Sequence, residues 1–480
     1  MTAASPPRSL VWLRNDLRLR DNPALDAARR EGPVVAVYCW CPAQWRSHGT
    51  GPRRMAFILR CLRALSADLA ERGIPLRILM AKHFSEVPAG LQALARELGI
   101  NALHFNAEYP VDEQQRDHSV QVLLEAHGVS VAVHHGAVLT PPGSIRTNAG
   151  KMPVVYSAFR RRWLARTQAG EGQPLALIPT QTWPVLNGKA MTSDPLPDPD
   201  DVDEALLADL WPGGENEALR RLRRFMEGPL VDYREQRDLP ASPGTSRLSP
   251  YLAVGCLSPR QALAAAMRAN HGRRSGGRPG PDAWINELLW REFYQHLTAA
   301  LPQLSQGRAF KPETERLPWR DDPDALAAWQ QGRTGYPLVD AGMRQLNAQG
   351  WMHNRLRMVC AMFLSKHLLL DWRQGEAWFM QQLIDGDFAA NNGGWQWSAS
   401  TGCDAVPYFR IFNPITQAQR FDADGAFVRE WVPELKALPA PDIFEPWKAP
   451  VLAPDYPEPI VDHKAARARA LAAFKSLAGR

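Results

Sequence analysis

A chain of 480 residues is too long for one ordinary hydrophobic core, so two or more domains are expected. Its 45% hydrophobic and 22% charged residues are the composition of a soluble globular protein, which excludes a disordered or fibrous chain. A net charge of +6 and a pI of about 9.0 permit a nucleic-acid partner without requiring one.

No apolar run reaches membrane-spanning length, and MTAASPPRSL lacks the charged and apolar regions of a secretory signal. No membrane partner is expected. Cys39, Cys41, Cys61, Cys256, Cys360 and Cys403 form neither a Cys-x-x-Cys pair nor a zinc pattern. That suits a reducing cytoplasm and a chain without a metal centre. The 17 tryptophans exceed what packing needs, which points to stacking surfaces or electron conduits.

In chain order, residues 9–12, 34–40, 76–79, 102–106 and 129–133 are apolar runs that read as buried strands. Amphipathic segments 53–72, 85–98 and 112–127 read as helices between them. The alternation predicts an α/β domain over 1–135, a Rossmann-like doubly wound parallel sheet with helices on both faces. The turn after the first strand, RNDLRLRDNPAL, contains no glycine, so it is not a dinucleotide fingerprint. Residues 136–215 turn Pro/Gly-rich and read as a long interdomain connection. From 216 to 480 the periodicity predicts an all-α domain, with helices at 217–226, 259–268, 284–299, 323–331, 336–349, 353–369, 373–383 and 462–478.

Several constellations carry chemistry. Thr245, Ser246, Arg247, Leu248 and Ser249 place hydroxyls and backbone N–H groups around a guanidinium, as a phosphate cradle would, but also as a helix cap would. Tyr233 and Arg237 lie just upstream, and each taken singly is ordinary. On a helical wheel Glu287, Trp290, Arg291 and Tyr294 share one face, either to grip a base or to form an internal ion pair beside packed aromatics. Asn354 and Met358 are four residues apart with Arg355 and Arg357 beside them, a ligand face or a solvated basic one. The loop HGRRSGGR is basic and glycine-rich. Trp319, Trp372 and Trp395 have no spacing rule that brings them together.

The densest stretch is LIDGDFAANNGGWQWSAST, residues 383–401. Carboxylates Asp385 and Asp387 flank Gly386, and Asn391 and Asn392 precede two glycines and the tryptophans Trp395 and Trp397. Buried carboxylates and amides need partners, and glycines weaken helices, so ordinary core building does not use this mixture. It suits a polar, π-rich cofactor approached closely by the backbone.

Together with TSRLSPYLAVGCLSPRQ, WINELLWREFYQHL, TGYPLVDAGMRQL, GWMHNRLRM and DWRQGE, this stretch resembles the DNA photolyase/cryptochrome family over nearly the whole chain. The likeness is strongest to the class I cyclobutane pyrimidine dimer photolyases. It implies an α/β antenna domain before a helical domain holding FAD, and light-dependent repair by electron transfer from photoexcited reduced FAD. It implies FAD contacts at Tyr233, Thr245–Ser249, Trp284, Arg291, Asp385, Gly386, Asp387 and Asn391. Dimer contacts fall on Glu287, Trp290, Asn354, Met358 and Trp397, with Arg237 and Arg355 as DNA-facing supports. Trp395, Trp372 and Trp319 match the family's photoreduction chain. A monomer acting in the cytoplasm on UV-damaged DNA is expected.

The (6-4) enzymes carry histidines where this chain has Asn354 and Met358, which favours the cyclobutane dimer as substrate. Folate-binding relatives use a His matching His48, an Asn-Glu pair where this chain has Asp112-Glu113, and a Lys where it has Gln306. 5,10-Methenyltetrahydrofolate is the expected antenna, with a deazaflavin or no antenna as alternatives. A cryptochrome-type blue-light receptor, a thermal flavin oxidoreductase and a non-enzymatic nucleic-acid-binding protein are the rival functions.

Overall fold

The computed structural model describes residues 8–167, 173–186, 189–199 and 202–478. Five parallel strands form one sheet: β1 (Ser9–Leu13), β2 (Val34–Trp40), β3 (Leu76–Met80), β4 (Ala102–Asn106) and β5 (Ser130–His134). Their order is β3-β2-β1-β4-β5, with Ser9 of β1 opposite Val34 on one side and Ala102 on the other. β1, β2 and β4 are buried along their whole length, as central strands covered on both faces must be. The edge strands correct the expectation that all five are buried. β3 buries only Leu76 and β5 buries no residue, because each has a neighbour on one side alone. In this order the chain steps from β1 through β2 to β3 in one direction and on to β4 and β5 in the other, so right-handed crossovers put the first two connections on one face and the last two on the opposite face, the doubly wound arrangement expected.

Some helices were not legible as such. Pro23–Glu31 fills the segment between β1 and β2; Asn22 caps it and Pro23 starts it. Tyr156–Arg166 lies within the Pro/Gly-rich connection, and Pro414–Phe421 and Ala426–Trp431 lie beyond the densest motif. The segment 353–369 is not one α-helix: Asn354–Met362 passes into a π-helical stretch, Phe363–Leu368.

The chain forms two compact units that do not follow chain order. One comprises Met1–Pro153, Phe159–Gly228 and Ser246–Pro302; the other comprises Val154–Ala158, Pro229–Thr245 and Gln303–Arg480. The first has its core around the sheet, from Leu10, Trp12, Val35 and Val37 to Leu103 and Phe105. The second is built around Trp329, Met343, Leu356, Phe363, Trp372, Phe379 and Trp395. Four helices carry many of the candidate site residues: α1 (Pro279–Ala300) in the first unit, and α2 (Asn354–Met362), α3 (Trp372–Gln382) and α4 (Phe388–Ala399) in the second. Among the described residues, no helix is long and apolar enough to cross a membrane.

Candidate functional site

In the second unit the dense motif is a turn followed by α4. Asp387 caps that helix by accepting the Ala390 N–H at 2.9 Å, and Ser400 closes it in the left-handed conformation, φ 64°. Asp385 is only 6% exposed. The Arg357 guanidinium of α2 donates to its Oδ2 at 2.8 Å, while Arg357 Nε holds the Met352 carbonyl. Arg357 is therefore committed to the fold rather than presented to phosphates. Asp385 Oδ1 is buried with no hydrogen-bond partner among the described residues. A charged oxygen left so is costly unless a further donor meets it.

The faces of α3 and α4 meet. Trp372, Gly375, Glu376 and Phe379 lie at i, i+3, i+4 and i+7 on α3, one stripe. On α4, Asn391 donates to the Glu376 carbonyl at 3.1 Å and Asn392 to the Glu376 carboxylate at 2.9 Å. Gln396 donates in turn to Asn392 at 2.9 Å. Burial pushes the Glu376 carboxyl up to about 7 against the pull of Asn392. Gly394 sits in the middle of α4, and a Cβ there would meet nothing within 4 Å. An open face beside a backbone without a side chain admits the edge of a flat ring. The orphaned Asp385 oxygen, the amides of α4 and this bare backbone fit the polar, planar group of a flavin.

Asn354 and Met358 share the face expected of them, with Asn354 Nδ2 3.9 Å from Met358 Sδ; Asn354 is exposed and Met358 half-buried. Arg355 pairs with Asp238 at 2.9 Å and lies 4.3 Å from the ring centre of Phe421, so it is held, with 15% of its side chain exposed. Tyr233 is buried beneath Arg237, 5.7 Å from its ring centre. Trp397 is half-buried on α4. Trp395 and Trp372 are buried in the main core, where Trp395 meets Phe379 edge-on at 5.0 Å and Trp329 at 6.0 Å. Trp319 is half-buried between that core and a smaller cluster of Leu317, Leu369, Ala473 and Phe474. Glu376 and Trp329 were not singled out from the sequence, and Asn392 and Gly394 were named only as part of the dense stretch; for Glu376 the i, i+3, i+4, i+7 spacing of α3 was the available signal.

In the first unit, α1 presents Glu287, Trp290, Arg291 and Tyr294 as a half-buried stripe while Ile285 and Leu289 are buried, as the wheel predicts. The Trp290 and Tyr294 rings are 5.8 Å apart. Arg291 donates to the Ala137 carbonyl at 2.6 Å, and Trp284 is buried against Phe225. In the loop 245–249, Arg247 adopts φ 49°, a conformation costly for a residue with a side chain. Leu248 is buried, Thr245, Ser246 and Arg247 are half-buried, and Ser249 opens a short helix.

The antenna candidates sit on connections that follow the carboxyl ends of β2 and β4, where open α/β sheets bind ligands. His48 Nε2 lies 3.0 Å from Asp112 Oδ2, and Nδ1 lies 3.5 Å from Glu113 Oε1. The hydrogen bond to Glu113, with Asp112 adding to it, raises the imidazole above its ordinary range. Glu113 Oε2 is buried with no hydrogen-bond partner among the described residues. Beside β1, Arg14 pairs with Asp117 at 2.6 Å and Arg116 with Glu108 at 2.8 Å, both guanidiniums over Trp12. Gln306 closes a 3₁₀ turn in the second unit.

Comparison with known proteins gives these features a context. Residues 9–180 match the DNA photolyase family and residues 284–476 match the FAD binding domain of DNA photolyase. The chain is 46% identical over 479 residues to the deoxyribodipyrimidine photo-lyase of Salmonella typhimurium, covering 98% of this chain and 99% of that one. Its fold resembles that of a bacterial class III photolyase from Agrobacterium tumefaciens, with TM-score 0.89 and 36% identity, covering 100% and 99% of the two chains. It also resembles the cryptochrome of Synechocystis sp. PCC6803, with TM-score 0.87 and 30% identity, covering 98% and 100%. By full-length identity and by both of its matched domains, the chain belongs to the DNA photolyase family.

Proposed function

We propose that this protein is a light-dependent DNA repair enzyme, a deoxyribodipyrimidine photo-lyase that splits cyclobutane pyrimidine dimers. The observation that carries the reading is the pairing of a flavin-shaped polar face on α4 with the Asn354–Met358 face on α2. FAD, when bound in its reduced form and excited by light, supplies the electron that the dimer needs to open. Asp385, held by Arg357, would offer its remaining oxygen to a donor on the flavin. Asn391 would help to hold the flavin ring, and the bare backbone at Gly394 would permit its close approach. Asp387 and Gly386 complete that turn. Tyr233, Trp284, Arg291 and the loop 245–249 would serve the remainder of the cofactor, the loop's hydroxyls and N–H groups donating hydrogen bonds to its phosphates.

Glu287 hydrogen-bonds the pyrimidine edge and stabilises charge that develops there. Trp290 and Trp397 stack on the dimer, Met358 packs beside it, and Asn354 orients it. Arg237 and Arg355 support the DNA-facing surface. The dimer enters after extrusion from the duplex, as base-flipping enzymes require. Trp395, Trp372 and Trp319 would carry electrons inward when a bound flavin must be reduced. His48, Asp112 and Glu113 hold 5,10-methenyltetrahydrofolate as antenna. The protein acts as a monomer in the cytoplasm.

The test is a spectrum of the purified protein followed by illumination with dimer-containing DNA. Flavin absorption with light-dependent loss of dimers is expected. Bound flavin without repair would favour a cryptochrome-type receptor, the second reading that the Synechocystis likeness keeps open. Repair in darkness would overturn the photochemical reading.

A further inference from the structure

The glycine in DWRQGE has no turn to make. Gly375 lies inside α3, where glycine is destabilising relative to alanine. Its reason is steric. A Cβ at this position would stand 2.1 Å from Cη2, 2.5 Å from Cζ3 and 2.8 Å from Cζ2 of Trp395. The benzo edge of the Trp395 indole thus lies directly against the α3 backbone. The ring has little freedom to retreat along the helix, because Phe379 meets it edge-on at 5.0 Å one turn later and Trp329 packs at 6.0 Å. One turn earlier on the same stripe stands Trp372, the first residue of α3 and fully buried. The notch at Gly375 therefore sets how near Trp395 comes to the turn that carries Trp372.

We infer that Gly375 is a positioning residue for electron transfer: it fixes the separation across which Trp372 re-reduces Trp395. The inference rests on the tryptophan route proposed above. In that route an electron leaves Trp395 for the light-excited flavin, leaving an oxidised indole. Trp372 passes one electron to that indole, which restores Trp395 and moves the oxidised centre to Trp372. Trp319 repeats the step, and a thiol reductant in solution supplies the last electron. Transfer between indoles weakens steeply with distance, so an added methyl group that pushes the Trp395 edge off α3 acts on this step. It leaves the Asp385 turn untouched.

The experiment compares parent, Gly375→Ala, Trp372→Phe and Trp395→Phe, loaded with FAD. Flash photolysis follows tryptophan oxidation, and blue light with thiol follows flavin reduction. In Gly375→Ala both should fall severalfold while bound FAD per protein stays at the parental level. Thermal unfolding without light supplies a second readout. Gly375→Ala should lose stability in the parent but lose little in the Trp395→Phe background, because phenylalanine lacks the three ring atoms that clash. Equal losses in both backgrounds would overturn the contact, even if the single variant loads FAD poorly. Parental photoreduction in Gly375→Ala, with Trp372→Phe blocked, would overturn the positioning role alone. Parental photoreduction in Trp372→Phe would overturn the route beneath it.

Discussion

Glu376 shows how one residue reports on its surroundings. Burial pushes its carboxyl up to about 7, while the Asn392 hydrogen bond opposes the rise. A carboxyl whose folded value lies above its unfolded one stabilises the fold while protonated. That contribution is complete below the unfolded value and is lost as pH climbs through about 7. Glu376→Gln keeps an acceptor for Asn392 and cannot ionise. Near pH 4 the variant should unfold with the parent; near pH 8 it should be the more stable, by at most about 3 kcal/mol. Melting curves across that range check it, and a constant difference at all pH values would rule out ionisation as the cause. Asp112 offers a second residue-scale test. Asp112→Asn removes a negative charge that helps to raise His48, so the imidazole should titrate at lower pH by NMR while Glu113 still holds it above its ordinary range. With 52% of the Asp112 side chain exposed, folate retention should improve by no more than about 1 kcal/mol of affinity. At this scale the sequence pointed to Asp385 and Asp387 together, as two carboxylates flanking a glycine. It could not separate them. Only the fold makes Asp385 the buried acid with a free oxygen and Asp387 a helix cap, because that difference depends on where Arg357 and the Ala390 N–H arrive.

Among elements, α4 has the sharpest contrast between sequence and structure. Its two glycines and polar residues argue against a helix by propensity, yet Asp387 caps one end, Ser400 terminates the other, and packing against α3 outweighs local preference. The strands were legible because continuous apolar runs of strand length have few other uses; the exposure of β5 was not, since edge position depends on strand order. Gly375 and Trp395 lie 20 residues apart, and no periodicity links a glycine to the ring that fills its place. Gly394 yields the prediction proper to this helix. Gly394→Ala adds a methyl group to open space, so the flavin-free protein should gain roughly 0.5–1 kcal/mol from the better helix former. The same methyl group enters the space proposed for the flavin ring, so FAD should be retained less well. Melting temperature of the apoprotein and flavin content of the holoprotein should therefore move in opposite directions. If both rise, α4 does not present this face to the cofactor.

For the molecule as a whole, the relevant property is the placing of charge rather than its sum. Residues 126–170 contain no Asp or Glu, yet include Arg146, Lys151, Arg160, Arg161, Arg162 and Arg166. The last four lie on the helix Tyr156–Arg166, where Arg161 and Arg166 are exposed. Sequence reading classed this stretch as a connection because prolines and glycines dominate its flanks; the helix turns it into an ordered basic surface. Such a surface attracts a phosphate backbone and releases the counterions condensed on it. Affinity for dimer-containing duplex should then fall linearly on a plot of log affinity against log salt, by about 0.9 per phosphate neutralised. Arg161→Glu should reduce that slope by about one such step and weaken damaged and undamaged DNA alike, since a phosphate contact carries no base information. Repair per photon of DNA already bound should remain at the parental value, because a phosphate contact takes no part in the photochemical step. Fluorescence anisotropy over a salt series measures the slope, and dimer loss at saturating protein measures the yield. A slope unchanged by charge reversal would place the DNA path elsewhere on the molecule, and a selective loss for damaged DNA would make Arg161 a reader of the lesion instead of its backbone.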